Sequence, residues 1–173
     1  MLGATSCETT QSPKSSKPTP AAKTDSKKFG KELSTLSFHL QVNLDGTDRN
    51  APVSVFRENP IQINVERSSF LNEGNIVKAA VDEDPDGLIS IRIQLDRPGT
   101  WLLENITSAN SGKHIVLFSQ FGEARFLAAP VINRRITDGV FTFTPDASRT
   151  EAERIVSGLN NVATKLKKNG LLK

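Results

Sequence analysis

The sequence predicts an α+β domain in which helices cover one face of a mostly antiparallel sheet. Short runs between residues 36 and 144 alternate apolar and polar residues, which is typical of half-buried strands. The end of the chain instead carries apolar residues at helical spacing, so it predicts a long C-terminal helix. The predicted order is strand–helix–strand–helix–strand–strand–strand–helix, with a hairpin-like pair of strands in front.

Turn residues separate the apolar runs in the first half of the domain. Asp45-Gly46 opens a polar loop, and Asn59-Pro60 interrupts the chain before the next strand. The predicted elements are strands Leu36–Leu44, Val53–Phe56 and Ile61–Val65, a short helix Phe70–Ala80, and strand Leu88–Leu95.

The second half contains clear helix signals. Thr100 is a suitable N-cap residue for a short amphipathic helix that ends near Gly112. Ser148 and Glu151 form a capping-box pattern, and lysines in the last turns of the helix that follows complement its dipole. The strands predicted between these helices are Lys113–Phe121, Ala124–Ile132 and Val140–Thr144, the first two paired around Gly122-Glu123.

The composition divides the chain into a polar front, one folded domain and a short tail. Hydrophobic residues make up 36% of the 173 residues, and large apolar side chains are scarce in the front segment. Such a segment cannot bury enough surface to offset its ordering entropy. We therefore predict a disordered polar tether at residues 1–33, a single domain at 34–169 and a tail at 170–173.

The net charge of +3 arises from the two ends of the chain. Residues 1–32 carry six lysines against three acidic residues, and the last nine residues carry four lysines, so the segment between them is net acidic. A nucleic-acid site needs lysine and arginine clustered on one folded surface. The charge distribution therefore predicts no nucleic-acid partner.

The run Ala4-Thr5-Ser6-Cys7 is similar to a relaxed lipobox, the small-residue run before a bacterial lipoprotein cysteine. The charged and apolar regions of a complete signal peptide are missing, and no apolar run approaches the ~20 residues of a membrane span. Cys7 is a candidate lipidation site that would anchor the domain in the cell envelope, extracytoplasmically. The alternative is a cytoplasmic protein with a flexible tail and an incidental cysteine.

No residue pattern supports a catalytic or metal site. The run Asp82–Gly87 matches the opening of a calcium loop, but Pro85 lies inside it and Ile93 stands where the bidentate glutamate is needed. His39 and His114 are the only histidines, whereas zinc sites use three or four ligands. We predict an acidic turn, no metal, no cofactor and no enzymatic activity, since nucleophile motifs and phosphate-binding loops are also missing.

Three residues are predicted to contact a partner: Trp101, Arg134 and Arg135. The adjacent arginines are suited to a phosphate or carboxylate, and Trp101 is the sole tryptophan, a residue type that often anchors interfaces. The alternatives are a solvated arginine pair, which contributes little, and a tryptophan that covers the core.

Four short motifs follow one another between Leu88 and Leu159. They are Thr107-x-x-Asn110-x-Gly112-Lys113, Ala129-Pro130-x-Ile132, Ile136-x-x-Gly139 and Ser148-x-x-Glu151-Ala152. In content and order they resemble the head part of the first periplasmic domain of SecD, an accessory subunit of the bacterial protein-export channel. Unlike SecD, this sequence contains neither transmembrane helices nor the base part of that domain.

The resemblance implies a ferredoxin-like α+β head and, by analogy, contact with a polypeptide. We therefore expect a non-enzymatic binding or scaffold module with a protein or peptide partner in the envelope. In this hypothesis the lipid anchor is the only link to the membrane. The alternatives are a soluble accessory of protein export, and a soluble enzyme subunit that uses the acidic turn or the arginine pair.

Overall fold

The computed structural model describes residues 32–44, 46, 48–56, 59–121 and 123–170. Cys7 lies outside the described residues, as do nearly all of the predicted tether and tail. The described elements are β1 (Thr35–Leu40), β2 (Asn50–Val55), β3 (Ile61–Glu66), β4 (Leu71–Asn72), β5 (Ile76–Glu83), β6 (Ile89–Leu95), α1 (Arg97–Ala109), β7 (Ile115–Phe121), β8 (Glu123–Ala128), β9 (Val140–Phe143) and α2 (Arg149–Lys168). None of the described helices is long and apolar enough to cross a membrane.

Antiparallel pairing joins the nine described strands into three sheets. The first has the order β4-β1-β7-β8, the second contains β2 and β3, and the third has the order β5-β6-β9. The α+β class, the antiparallel pairing and the long C-terminal helix are confirmed. The expected single layer is divided into three sheets.

One hydrophobic core is shared by the four-stranded sheet, the three-stranded sheet and both helices. Its fully buried side chains include Leu36 and Phe38 from β1, Ile91 and Ile93 from β6, Leu103 from α1, and Ile155 and Leu159 from α2. The Phe38 and Phe141 rings pack edge to face with centroids 5.7 Å apart. This core joins the two sheets and the two helices. Truncating one of its leucines to alanine typically lowers the free energy of unfolding by about 2–5 kcal/mol.

A second cluster covers the other face of the four-stranded sheet. It consists of Val55, Ile63 and Val65 from the β2–β3 hairpin with Val116 and Ala129. Successive side chains of a strand point to opposite faces, so Val116 enters this cluster while its neighbours Ile115 and Leu117 enter the main core. The four-stranded sheet is therefore buried on both faces.

The predicted helix Phe70–Ala80 is wrong, because this segment forms β4, a 3-10 turn at Glu73–Asn75, and β5. The Asn72 side chain accepts the Gly74 N–H at 2.9 Å, and the Asn75 side chain accepts the Asn72 N–H at 3.5 Å, which closes the turn. A bulge lies between Ile76 and Lys78, so the next core residue after Ile76 is Ala79. That spacing of three imitates a helical period and explains the error.

Both helices begin at side-chain caps. Ser148 is the N-cap of α2, as predicted, and its hydroxyl accepts the Glu151 N–H at 3.4 Å. Thr100 is not the N-cap of α1, because Asp96 holds that position and accepts the Gly99 N–H at 2.7 Å. Pro98 in the first turn of α1 is the sequence signal for this earlier start.

Candidate functional site

One edge of the three-stranded sheet is closed by a side chain from α2. The Ala79 N–H of β5 donates to Asn160 Oδ1, and Asn160 Nδ2 donates to the Ala79 carbonyl, both at 2.9 Å. One amide thereby makes the two bonds that a residue of a neighbouring strand would make. Helix α2 packs against β5, so the outward main-chain groups of Ala79 are not available to a further strand.

The opposite edge is β9, and the hydrogen-bond phase of the sheet determines which of its main-chain groups face outward. The Leu95 N–H donates to the Gly139 carbonyl at 2.9 Å, so these two residues form a hydrogen-bonded pair. Such pairs alternate along an antiparallel ladder with pairs that share no hydrogen bond. Counting from this pair, Phe141 bonds to β6, whereas the N–H and C=O of Thr142 point away from the sheet.

Among the described residues, the outward main-chain groups of Thr142 have no hydrogen-bond partner. Val140 faces the same way, but its N–H donates to the Asp138 carboxylate at 3.1 Å. The edge of β9 therefore presents three open groups, which are the carbonyl of Val140 and both groups of Thr142.

A groove of about 230 Å³, which we call the β9 groove, lies beside this edge. Val140 and Thr142 line one side, and the extended segment 130–134 lines the other. Ile115 and Phe141 contribute buried apolar surface between the two sides. The volume is below the ~300–1,000 Å³ typical of small-molecule pockets.

The segment opposite β9 is held by main-chain hydrogen bonds. The Ile115 N–H donates to the Pro130 carbonyl at 3.0 Å, and the Ile132 N–H donates to the Lys113 carbonyl at 2.8 Å. Val131 lies between these two bonds, so its own main-chain groups turn away from β7. Its side chain is 42% exposed, which adds an apolar surface to the groove.

The three predicted partner contacts fall in two places. Arg134 lines the β9 groove and forms no hydrogen bond or ion pair with any described residue. Arg135 pairs with Glu104 of α1. Trp101 is 64% exposed and precedes Glu104 by three residues, so both lie on the same side of α1. The structure thus brings Arg134 to the groove, and Arg135 and Trp101 to the adjoining helix.

The acidic turn is a hairpin connection between β5 and β6. The Gly87 N–H donates to the Asp84 carbonyl at 2.8 Å, and Gly87 has a φ of +78° that suits glycine. The Asp82 carboxylate forms an ion pair with Arg92, with 2.8 Å between Asp82 Oδ2 and Arg92 Nε. In the described part of the chain, no three His, Cys, Asp or Glu side chains gather in a way that would hold a metal ion.

Both histidines make structural contacts. The His39 ring packs edge-on against Phe118 with centroids 5.5 Å apart, and its Nδ1 donates to the Glu66 carbonyl at 2.9 Å. His114 Nδ1 lies 2.8 Å from Gln41 Oε1, which also accepts the His114 N–H. Neither ring lines the β9 groove.

Two arginines of α2 have shifted pKa values. The hydrogen bond to Glu153 and the nearby Glu83 carboxylate raise the pKa of Arg149, and the hydrogen bond to Glu32 raises the pKa of Arg154. A group whose pKa is higher in the folded than in the unfolded protein stabilises the fold fully at pH values below its unfolded-state pKa. This contribution is lost only as pH rises through its folded-state pKa. Both values are strongly alkaline, so these pairs give no pH dependence near neutrality.

A family model described as "SecDF, P1 head subdomain" matches residues 50–164, well over half of the chain. The chain belongs to this family. A search of curated protein sequences found no match.

Two solved structures share the fold of this SecDF P1 head. "Structure and function of a membrane component SecDF that enhances protein export" aligns with a TM-score of 0.55 at 17% identity over 75% of this chain and 63% of that chain. "Crystal structure of SecDF in Super-membrane-facing form" aligns with 0.55 at 18% identity over 75% and 19%. The chain therefore spans less than two thirds of either protein.

The motif residues of the SecDF P1 head have structural roles here. The buried Thr107 hydroxyl donates to the Leu103 carbonyl at 2.8 Å and accepts the Ile136 N–H at 3.0 Å, which fixes one end of the groove to α1. Asn110 closes α1 by donating to the Ile106 carbonyl at 3.0 Å. Thr107 therefore positions the groove, and Asn110 ends the helix beside it.

Proposed function

We propose that this SecDF P1 head is a non-enzymatic binding module whose β9 groove receives a protein or peptide. One observation carries the proposal. The groove combines the exposed apolar side chain of Val131 with main-chain groups of Thr142 that are open in the described structure. Apolar surface beside open main-chain groups is the chemistry that peptide-binding edges use. Arg134 in the groove, with Trp101 and Arg135 on α1, are proposed as further partner contacts.

Family membership supports a place for this module outside the cytoplasm. One structure with the same fold is described as a membrane component that enhances protein export. We therefore propose a position in the bacterial envelope, facing the periplasm, with a polypeptide partner. A soluble accessory of protein export is the second candidate, and the same similarity favours it.

Photo-crosslinking tests the groove directly. Benzoylphenylalanine replaces Val131 in the full chain, and the probe is reduced, carboxymethylated α-lactalbumin, which stays unfolded. The matched control carries the crosslinker at Leu88, which is 53% exposed at the β5–β6 turn and does not line the groove. We expect crosslinks from position 131 and few from position 88. Equal yields at the two positions would contradict the proposal.

Cys7 is proposed as the site of lipid attachment, supported by the lipobox-like run and the polar segment that follows it. The test expresses the gene with its upstream sequence in a bacterial host that is fed radiolabelled palmitate. We expect label in the wild-type protein and none in Cys7→Ser. An unlabelled wild-type protein that retains Met1 would overturn lipid anchoring and leave groove binding untouched.

A further inference from the structure

We infer that the β9 groove takes its polypeptide as an added β-strand, paired through main-chain hydrogen bonds to Thr142. This rests on the proposed function, because it states how the proposed partner is held. The occupant is an extended, proline-free segment that extends the three-stranded sheet beyond β9.

The open groups have the spacing that a strand requires. Residues 140 and 142 face the same side of β9, and residues two apart on a strand are about 6.6–6.8 Å apart. A strand laid against them receives a donor and an acceptor from Thr142 and an acceptor from Val140. Its own N–H and C=O groups supply the complementary partners.

The other edge of the same sheet differs from β9, because the outward main-chain groups of one of its residues are bonded to a side chain. At β5 the Asn160 amide occupies the N–H and C=O of Ala79. At β9 the only outward group with a partner among the described residues is the Val140 N–H. An unprotected edge is a template for pairing with another chain.

The side chains around the groove define the class of segment. Side chains of an added strand alternate, so every second one meets the apolar surface of Val131 and Ile136 and the others face solvent. Valine, isoleucine or threonine at those alternate positions combines strand propensity with apolar contact. Arg134, which is open at the groove, favours an acidic residue at the same end.

The N-terminal segment of this chain does not fit that description. Pro13, Pro18 and Pro20 interrupt it, and between Glu8 and Lys28 it has no large apolar residue. It lacks both the unbroken main-chain donors and the alternating apolar side chains that the groove requires. The occupant is therefore another polypeptide.

The central test removes one outward main-chain hydrogen of β9, which makes no bond to β6. Thr142→Pro deletes the outward N–H, and proline is tolerated on edge strands where that group faces solvent. Thr142→Val keeps the N–H and serves as the matched control. The probe is a fluorescein-labelled ten-residue peptide of alternating valine and serine with a terminal glutamate, measured by fluorescence anisotropy.

We expect Thr142→Pro to weaken binding of this peptide at least tenfold and Thr142→Val to leave it within twofold. Because Thr142→Pro can also lower the melting temperature, a second probe keeps the protein unchanged. In this probe every second residue of the peptide is N-methylated, which removes the donors on the peptide side, and its binding to the wild-type chain should fall at least tenfold. The Thr142 amide should become protected from hydrogen exchange when the unmethylated peptide binds.

The outcomes separate this inference from the proposed function. If the wild-type chain crosslinks unfolded α-lactalbumin through position 131 but binds the methylated and unmethylated peptides equally, strand addition is wrong and groove binding stands. If the wild-type chain binds neither the unfolded protein nor the peptide, both proposals fail. Exchange protection at Thr142, together with loss of binding on methylation, supports strand addition.

Discussion

Gly139 joins the start of β9 to the first turn of α1. Its carbonyl accepts the Leu95 N–H, the bond that sets the hydrogen-bond phase of the sheet. Its φ is +67°, and a Cβ atom there would overlap the Thr100 hydroxyl and lie 3.1 Å from Thr100 Cβ. Glycine is therefore required for both its backbone conformation and its closeness to the helix. The position of the open edge depends on this contact.

Gly139→Ala should lower the free energy of unfolding by more than Gly112→Ala does. Both glycines have positive φ, +67° and +82°, so alanine is strained by about 1–2 kcal/mol at either site. Only at Gly139 would the added Cβ meet other atoms within 4 Å. We expect an additional loss of about 1–3 kcal/mol there, measured by urea denaturation.

A double-mutant cycle identifies the cause of that difference. Thr100→Ala removes the hydroxyl that overlaps the new Cβ, so the two substitutions together should cost less than the sum of their separate effects. Strict additivity would show that the difference between the two glycines does not come from this close approach.

Local signals such as the Ser148 cap could be predicted from the sequence, whereas of the groove only Arg134 was identified and the open edge of β9 was not. Ser148 was identified because its cap depends on residues three positions away. Thr142 is outward-facing because of its pairing with β6, and open because nothing beyond β9 pairs with it. Both facts depend on residues distant in sequence, so the alternation in Val140–Phe143 indicates a strand and says nothing of its edge.

Helix α2 serves as the neighbour of β5. Asn160 supplies two hydrogen bonds to one residue of the strand, and Ala152, Ile155 and Leu159 enter the main core from the same helix. The apolar residues at helical spacing predicted this helix, and Ala152, Ile155, Val156, Leu159 and Ala163 are the ones it buries. Asn160 itself resembles an ordinary surface residue in that pattern, and its role is visible only once β5 is known to be an edge.

Asn160→Ala should destabilise the protein by about 2–4 kcal/mol, because both groups of Ala79 lose their partner. Thr164→Ala, an exposed change one turn later in the same helix, should alter the free energy of unfolding by no more than about 0.5 kcal/mol. Chemical denaturation of both variants provides the comparison.

Hydrogen exchange at Ala79 distinguishes loss of the edge bonds from general loosening. The Ala79 amide should exchange faster in Asn160→Ala, whereas Asn160→Asp keeps an oxygen that accepts this N–H. Equal stability of Asn160→Ala and Thr164→Ala would contradict the closed-edge interpretation of β5.

Among the described residues, Glu32 is the first that contacts α2. Glu32 pairs with Arg154 at 3.0 Å and its carbonyl accepts Asn161 Nδ2 at 2.8 Å. Ser34 is fully buried, and a Cβ added at Gly158 would lie 2.7 Å from the Ser34 nitrogen. The predicted boundary at residue 34 is therefore close to the first described residues that pack, although the division into domains stays a prediction.

Two shortened chains test this boundary. A chain that begins at Glu32 should melt within about 2 °C of the full chain, because it keeps every contact described for α2. A chain that begins at Leu36 loses the Glu32 and Ser34 contacts, and for a domain of this size it should melt several degrees lower. Differential scanning calorimetry at one salt concentration makes the comparison. Equal melting temperatures would place the start of the domain after Ser34.

The order of elements along most of the chain followed from sequence, while the division into three sheets did not. Alternation and caps are local, whereas the pairing of β1 with β7 joins residues about eighty positions apart. The bulge in β5 also led to the wrong prediction of a helix, because it places two core residues three positions apart. Both failures have the same cause, since the deciding contacts join segments that are remote in the sequence.

The hydrogen bonds from Asn160 to Ala79 affect how many strands can be added to the three-stranded sheet. A fibre in which whole domains pair through their sheet edges needs two open edges in each domain, one for each neighbouring domain. Because the Asn160 amide occupies both main-chain groups of Ala79, a second strand cannot pair with β5 at that residue without displacing this amide. The domain therefore offers β9 as its edge for direct pairing, and we expect saturation with excess peptide to yield a complex of one to one.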